Sequence, residues 1–361
     1  MLEKQATGGR GYDWTVILLS LWFLAGVFLD GWAHNHIPEL ESFFTPWHAV
    51  FYSGFLAVAG FLTATLVRNH AKGYPWRQAM PPGYELSLLG VLIFMAGGVG
   101  DMIWHEIFGI EANIEALLSP SHLSLALGAS LFISGPFRSS WRRPSDQKDR
   151  IERWVDLLPP LLSLTFLLSL WTFMTQFGHP LVETWAAAGF RPRSQNFPTL
   201  RQSLGVVSIL VQAGLLMGLV LLAVLRWRLP LGSLTLVLAL NAILMSFMQD
   251  QYRFVPAAAV AGFAADLLLQ WLRPSVVRSG ALRLFAFAVP AIDYTLYFVV
   301  LIATQGLGWS VHLWTGPIVL AGVVGMLLSY LLIPPAQSSL PFPPPSQRAT
   351  ATLRDREFLP S

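Results

Sequence analysis

The chain has 361 residues, of which 54% are hydrophobic and 12% charged, with a net charge of only +3. Soluble domains carry about 25% charged residues, so this composition excludes an ordinary soluble enzyme, and the scatter of basic residues over short loops excludes a nucleic-acid footprint. There is no cysteine, which removes disulfides, thiolate metal sites and cysteine-held iron–sulfur clusters.

Ten apolar runs follow one another along the chain, at residues 14–33, 46–67, 86–108, 120–136, 155–177, 203–225, 229–248, 254–272, 284–304 and 311–333. Each is close to the roughly 20 residues that a helix needs to cross a bilayer. The first also matches a signal-peptide core ending at Ala33. Cleavage there would remove Asp30 from a motif that recurs later, so the segment is read as a retained span. The expectation is an all-α fold, a polytopic integral membrane helical bundle of about ten transmembrane helices arranged as five hairpins.

Charge orients the bundle. With the N-terminus in the cytoplasm, 19 of the 23 basic residues fall on the cytoplasmic side, and only Arg191, Arg193, Arg201 and Arg253 fall outside. That is the lysine and arginine bias of cytoplasmic loops. The C-terminus is then cytoplasmic too, and the chain reads as a multi-pass protein of the cell membrane. Residues 1–136 form a region of two repeated hairpins, 137–154 a solvated cytoplasmic linker, and 155–333 six further transmembrane helices. Residues 334–361, rich in Pro and Ser, read as a disordered tail.

The first two hairpins carry the same sentence. One copy has Asp30, His34 and then Thr45-Pro46-Trp47-His48. The other has Asp101, His105 and then Ser119-Pro120-Ser121-His122. Residues four apart share a helix face, so each Asp and its first His point the same way. The Thr-Pro and Ser-Pro pairs are helix starts, with a hydroxyl cap and a proline suited to the first turn. His48 and His122 therefore fold back beside the end of the preceding helix. Each Asp lies about 6 Å deeper than its histidine, where an ionised carboxylate costs about 2–3 kcal/mol unless paired. Two readings answer that cost: a metal held by Asp30, His34, His48, Asp101, His105 and His122 in mono- or dinuclear form, or a hydrogen-bonded Asp–His network.

Weaker signals accompany the motif. Glu39, Glu41, Glu106, Glu111 and Glu115 lie in or beside the connections between motif helices, and Glu111 and Glu115 are candidates for extra ligands or supporting partners. Asp293, Tyr297 and His312 resemble a decayed third copy, in which Asp293 and His312 would hold further roles. Asp266 is a buried acid whose bland explanation is a hydrogen bond to a neighbouring helix. Of eight histidines, only His70 falls on the cytoplasmic side, so a site built from the others faces outward.

The local pattern, Asp, then His four residues later, then a second His about a dozen residues beyond, resembles the metal site in the C subunit of copper membrane monooxygenases, the particulate methane and ammonia monooxygenases. The resemblance is confined to the two motif stretches. The gap between the two histidines is 13 residues in one copy and 16 in the other. The motif is also doubled here, and ten spans exceed what that subunit would have. The resemblance implies copper and oxygen chemistry at these six residues.

The expected function is thus a membrane metalloprotein with an Asp/His centre near the extracytoplasmic face, acting as a metal-dependent oxidoreductase on a small apolar substrate. Copper is the first cofactor choice, with iron and zinc as alternatives, since Asp and His without Cys suit all three. A metal-ion transporter or delivery protein is the competing class, although only Asp266 and Asp293 lie deep enough to extend a path. A haem-binding electron-transfer protein and a structural membrane subunit are further alternatives, and a haem is less expected because the Asp of each motif would have no use. The expected partners are the lipid bilayer, the apolar substrate and other membrane subunits, with no nucleic acid.

Overall fold

The computed structural model of the protein describes residues 6–37, 45–109, 114–143, 153–186 and 197–334. The expectations for Glu39, Glu41, Glu111, residues 144–152 of the linker and the tail beyond residue 334 lie outside these residues. Among the described residues there are twelve α-helices and no strand. They are α1 (Arg10–His36), α2 (Pro46–Ala71), α3 (Glu85–Phe108), α4 (Glu115–Leu118), α5 (Pro120–Ile133), α6 (Gly135–Arg142), α7 (Trp154–Met174), α8 (Phe197–Arg226), α9 (Ser233–Phe247), α10 (Val255–Leu272), α11 (Ser279–Thr304) and α12 (Val311–Leu332).

All ten expected apolar segments are helical. Eight helices, α1, α2, α3, α7, α8, α10, α11 and α12, are long and apolar enough to cross a membrane. The other two are shorter: α5 has 14 residues and α9 has 15. The segment expected over 120–136 divides because Ser134 leaves helical geometry and Pro136 restarts a helix in its first turn, where a proline lacks the N–H that an interior position needs. The region expected as a solvated linker from residue 137 therefore begins as helix α6. It packs on α7 and α1 and buries Pro136 and Ser139.

Consecutive helices pack lengthwise in four pairs, α1 with α2, α3 with α5, α9 with α10 and α11 with α12. Helix pairs in membranes gain their contact from close van der Waals fit, which favours small residues at the crossing. A β-carbon at Gly54 would stand 2.6 Å from the Cα of Phe23, and one at Gly128 would stand 2.6 Å from the backbone nitrogen of Phe94. Gly262 meets Thr235 and Gly325 meets Ala286 in the same way in the other two pairs. Helix α7 is the post between the halves, in contact with α1, α5, α6, α8 and α9. Its buried hydroxyls reach neighbouring helices as well as their own, as when Ser163 donates to the Ile133 carbonyl of α5 at 2.6 Å.

An aromatic cluster joins the first two hairpins. Phe23 of α1 meets Phe94 of α3 edge-on at 5.4 Å and Phe132 of α5 at 5.1 Å. At the end away from the motifs, buried Asp13 accepts from the Tyr84 hydroxyl at 2.6 Å and pairs with Arg143. Arg138 donates to the carbonyls of Gly83 and Leu131 at 2.9 and 2.8 Å. Burial pushes the Arg138 guanidinium down to about 10, so it stays charged at neutral pH. These contacts hold the base of the two hairpins and leave the motif ends aligned.

Replacing Gly54 with Val should cost about 1–3 kcal/mol by overpacking, since the added carbons meet backbone. Gly60→Ala, where nothing lies within 4 Å, should be neutral. Thermal unfolding of the two variants in detergent, read side by side, checks this.

Candidate metal centre

Each motif is assembled by one hairpin. Asp30 and His34 lie near the end of α1, and His48 is in the first turn of α2. Asp101 and His105 lie near the end of α3, and His122 is in the first turn of α5. The caps form as their sequence implies. The Thr45 hydroxyl accepts from the His48 backbone N–H at 3.1 Å, and the Ser119 hydroxyl from that of His122 at 3.4 Å. Each hydroxyl also contacts the Nδ1 of that histidine, at 2.9 Å in the first hairpin and 2.7 Å in the second. One residue thus starts the helix and fixes the imidazole plane.

The two clusters superpose contact by contact. Asp30 Oδ2 lies 3.6 Å from His34 Nε2, and Asp101 Oδ2 lies 3.5 Å from His105 Nε2. Asp30 Oδ1 lies 3.3 Å from His48 Nδ1, and Asp101 Oδ1 lies 3.4 Å from His122 Nδ1. The ligand atoms of each triad fall within 4.8 Å of one another. Among the described residues, buried Oδ1 atoms of both aspartates receive no hydrogen bond, although each faces an imidazole nitrogen. Bonds of 2.0–2.1 Å in a tetrahedral site put neighbouring ligand atoms about 3.3–3.4 Å apart. The four Asp–His separations, 3.3–3.6 Å, lie at or just beyond such edges and beyond the usual hydrogen-bond length.

Burial is graded as the depth argument requires. The Asp101 side chain is 2% exposed and Asp30 14%, whereas His34, at the rim, is 42% exposed. Each triad closes within its own hairpin. The two still share a field, because the carboxylates of Asp30 and Asp101 repel each other across the interface. Tyr52 stands on that interface. Its ring stacks on His48 at 6.3 Å, and a methyl at Gly98 of α3 would stand 3.3 Å from its hydroxyl oxygen.

The remaining candidates separate. Glu115 opens α4, is exposed and joins neither triad. His312 is exposed in the first turn of α12. Asp293 and Tyr297 share one cavity, but the histidine that lines it with them is His179, not His312. His36 leaves the motif and faces Asp250 at 3.2 Å. Asp266 has the structural role expected of it: its carboxylate accepts from the backbone N–H groups of Gly232, Leu234 and Thr235, each at 3.0 Å, and so caps α9.

A longer repeat was available in the sequence. Both copies read Phe-x-Ala-Gly-x3-Asp-x3-His, from Phe23 and from Phe94, and both place a glycine six residues after the second histidine, at Gly54 and Gly128. Those glycines are the close crossings of each pair, and the two phenylalanines touch each other. The repeat therefore encodes the helix crossing together with the Asp-His-His residues. No protein-family profile, curated protein or solved structure matches the chain. Fold and site together define an all-helical, membrane-type bundle with a doubled Asp-His-His cluster.

Two outcomes follow from these contacts. Thr45→Val and Ser119→Ala should each cost about 0.5–2 kcal/mol as lost caps, read as a lower Tm. His179 is 5% exposed and its Nδ1 accepts from the Leu181 N–H at 3.2 Å. Burial pushes this imidazole down to about 3 from 6.5. Its contribution is therefore complete above pH 6.5 and is lost as pH falls toward 3, because only the unfolded chain then takes up the proton. A Tm-against-pH series should be shallower over that window in His179→Gln than in the unaltered protein.

Proposed function

We propose that the chain is an integral membrane metalloprotein in which each of the first two hairpins holds one transition-metal ion between an aspartate and two histidines. We further propose that this pair of sites serves a metal-dependent oxidoreductase acting on a small apolar substrate. The carrying observation is the recurrence, in two separate hairpins, of a carboxylate oxygen without a hydrogen bond facing imidazole nitrogens at ligand-edge spacing. A hydrogen-bonded network would draw those atoms closer, to about 2.7–3.2 Å.

Asp30, His34 and His48 would hold one ion, and Asp101, His105 and His122 the other. Three protein ligands leave a coordination position open, and the bound ion would supply Lewis-acid or redox chemistry there. The chain's own residues supply the rest. The aspartates neutralise charge in an apolar setting, and the cap hydroxyls of Thr45 and Ser119 hold the second histidines in orientation. Met102, Ile103 and Ile107, exposed beside Asp101 and His105 on α3, offer an apolar approach from the lipid. The resemblance to the copper membrane monooxygenase subunit favours copper. A two-histidine, one-carboxylate set also suits non-haem iron.

The bundle is proposed to span the membrane ten times with both termini in the cytoplasm, α5 and α9 completing the shorter crossings. Nineteen of the 23 basic residues then lie inside, and the two proposed metal sites face the extracytoplasmic side.

Elemental analysis of detergent-purified protein should find close to two ions per chain. His34→Ala with His48→Ala should remove one, and His105→Ala with His122→Ala the other. A folded protein that takes up no copper, iron or zinc when offered each would overturn the metal reading and leave a buried hydrogen-bond network.

A further inference from the structure

The second half of the bundle contains a cavity with several polar side chains in its lining that the metal motif does not use. It lies among α7, α8, α9, α10 and α11 and the loop after α7, with a volume of about 60 Å³. Seven polar side chains line it among apolar ones: Thr172, His179, Gln212, Asn241, Asp293, Tyr294 and Tyr297. His179, Gln212 and both tyrosines are more than nine-tenths buried, at 5% exposure for His179, 4% for Gln212 and 6% for each tyrosine.

Their hydrogen-bonding capacity is only partly used. Gln212 donates to Thr175 Oγ1 at 2.9 Å, yet its Oε1 is buried with no partner among the described residues. Asp293 makes no hydrogen bond or ion pair among the described residues, and the same holds for the hydroxyls of Tyr294 and Tyr297. Buried polar groups are rarely left in this state without an ion or water to satisfy them. Asp293, Gln212, Tyr294 and Tyr297, each with a side-chain oxygen, thus line one small space.

Charge and size select the occupant. Among the described lining residues there is no lysine or arginine, which removes phosphate, carboxylate and other anions. His179 supplies no counter-charge either, since burial holds its imidazole neutral. Asp293 is then the one lining side chain that can carry a negative charge, and a carboxylate inside an apolar bundle takes up either a proton or a compensating cation. A single carboxylate balances one positive charge, whereas divalent hard cations usually draw on more. The space is less than half of the about 150 Å³ that takes up a benzene ring, so an aromatic ligand does not fit.

We propose that this chamber binds one small monovalent cation, of the sodium, potassium or ammonium class, between Asp293 and the oxygens of Gln212, Tyr294 and Tyr297. The site is independent of the motif metal. Its position halfway along α11, distant in sequence from either triad, makes it a second ligand site. It uses the Asp293–Tyr297 spacing that the sequence shares with the motifs.

The test is the thermal stability of full-length protein in detergent, in sodium, potassium, ammonium and choline chloride at equal ionic strength. Binding to the native state raises Tm steadily as the cation concentration passes the dissociation constant and climbs beyond it. At least one of the three small cations should raise Tm over choline, and Asp293→Asn should abolish the difference. Gln212→Met, which keeps length and removes the unpartnered carbonyl, should weaken the apparent affinity and carries the test if Asp293→Asn does not fold. Equal Tm in all four salts overturns the proposal. So does an undiminished cation response in Asp293→Asn, which would locate binding elsewhere. Which cation acts is read from the same series.

Discussion

A carboxylate set inside an apolar helix end cannot stand alone. Asp30 and Asp101 lie a full turn deeper than their first histidines, and Asp101 is almost wholly enclosed. Much of the first half of the structure can be understood as a response to that constraint. The proline-started helices bring a second imidazole back to each carboxylate, the cap hydroxyl holds that imidazole still, and the glycines let the returning helix come close enough to matter.

The doubling has a physical counterpart in the packing. Phe23 and Phe94 occupy the same place in the two copies and meet each other edge-on, so the hairpins face one another across a pseudo-symmetric seam. The symmetry is incomplete where it bears on chemistry. Tyr52 has Ala126 as its counterpart, and the His34 rim is more exposed than the His105 rim. Asn35, which donates to Gln176 and to the Met248 carbonyl, ties only the first site to the second half of the bundle. Two clusters with the same three side chains thus sit in different surroundings.

The second half solves the same problem twice by other means. Asp266 is neutralised by three backbone N–H groups at the start of α9, where the helix dipole also favours negative charge, and it needs no ion. Asp293 has no such cap. The two acids differ less in burial than in partners: Asp266 is satisfied by backbone, whereas Asp293 lines a cavity.

The helical class, the ten apolar segments and the six motif residues were legible in the sequence because each rests on a short-range rule: apolar run length, the four-residue face of a helix, the proline-capped start. The longer Phe-Ala-Gly frame around each motif was equally present in one dimension. What only the tertiary structure decided were matters of distance between segments far apart in the chain. It closed each triad within one hairpin, broke the fourth segment at Ser134, turned the start of the expected linker into a packed helix, and replaced His312 by His179 beside Asp293. Spacing along a helix predicts which side chains share a face, but which faces meet depends on how closely backbones can cross, and that is settled by packing.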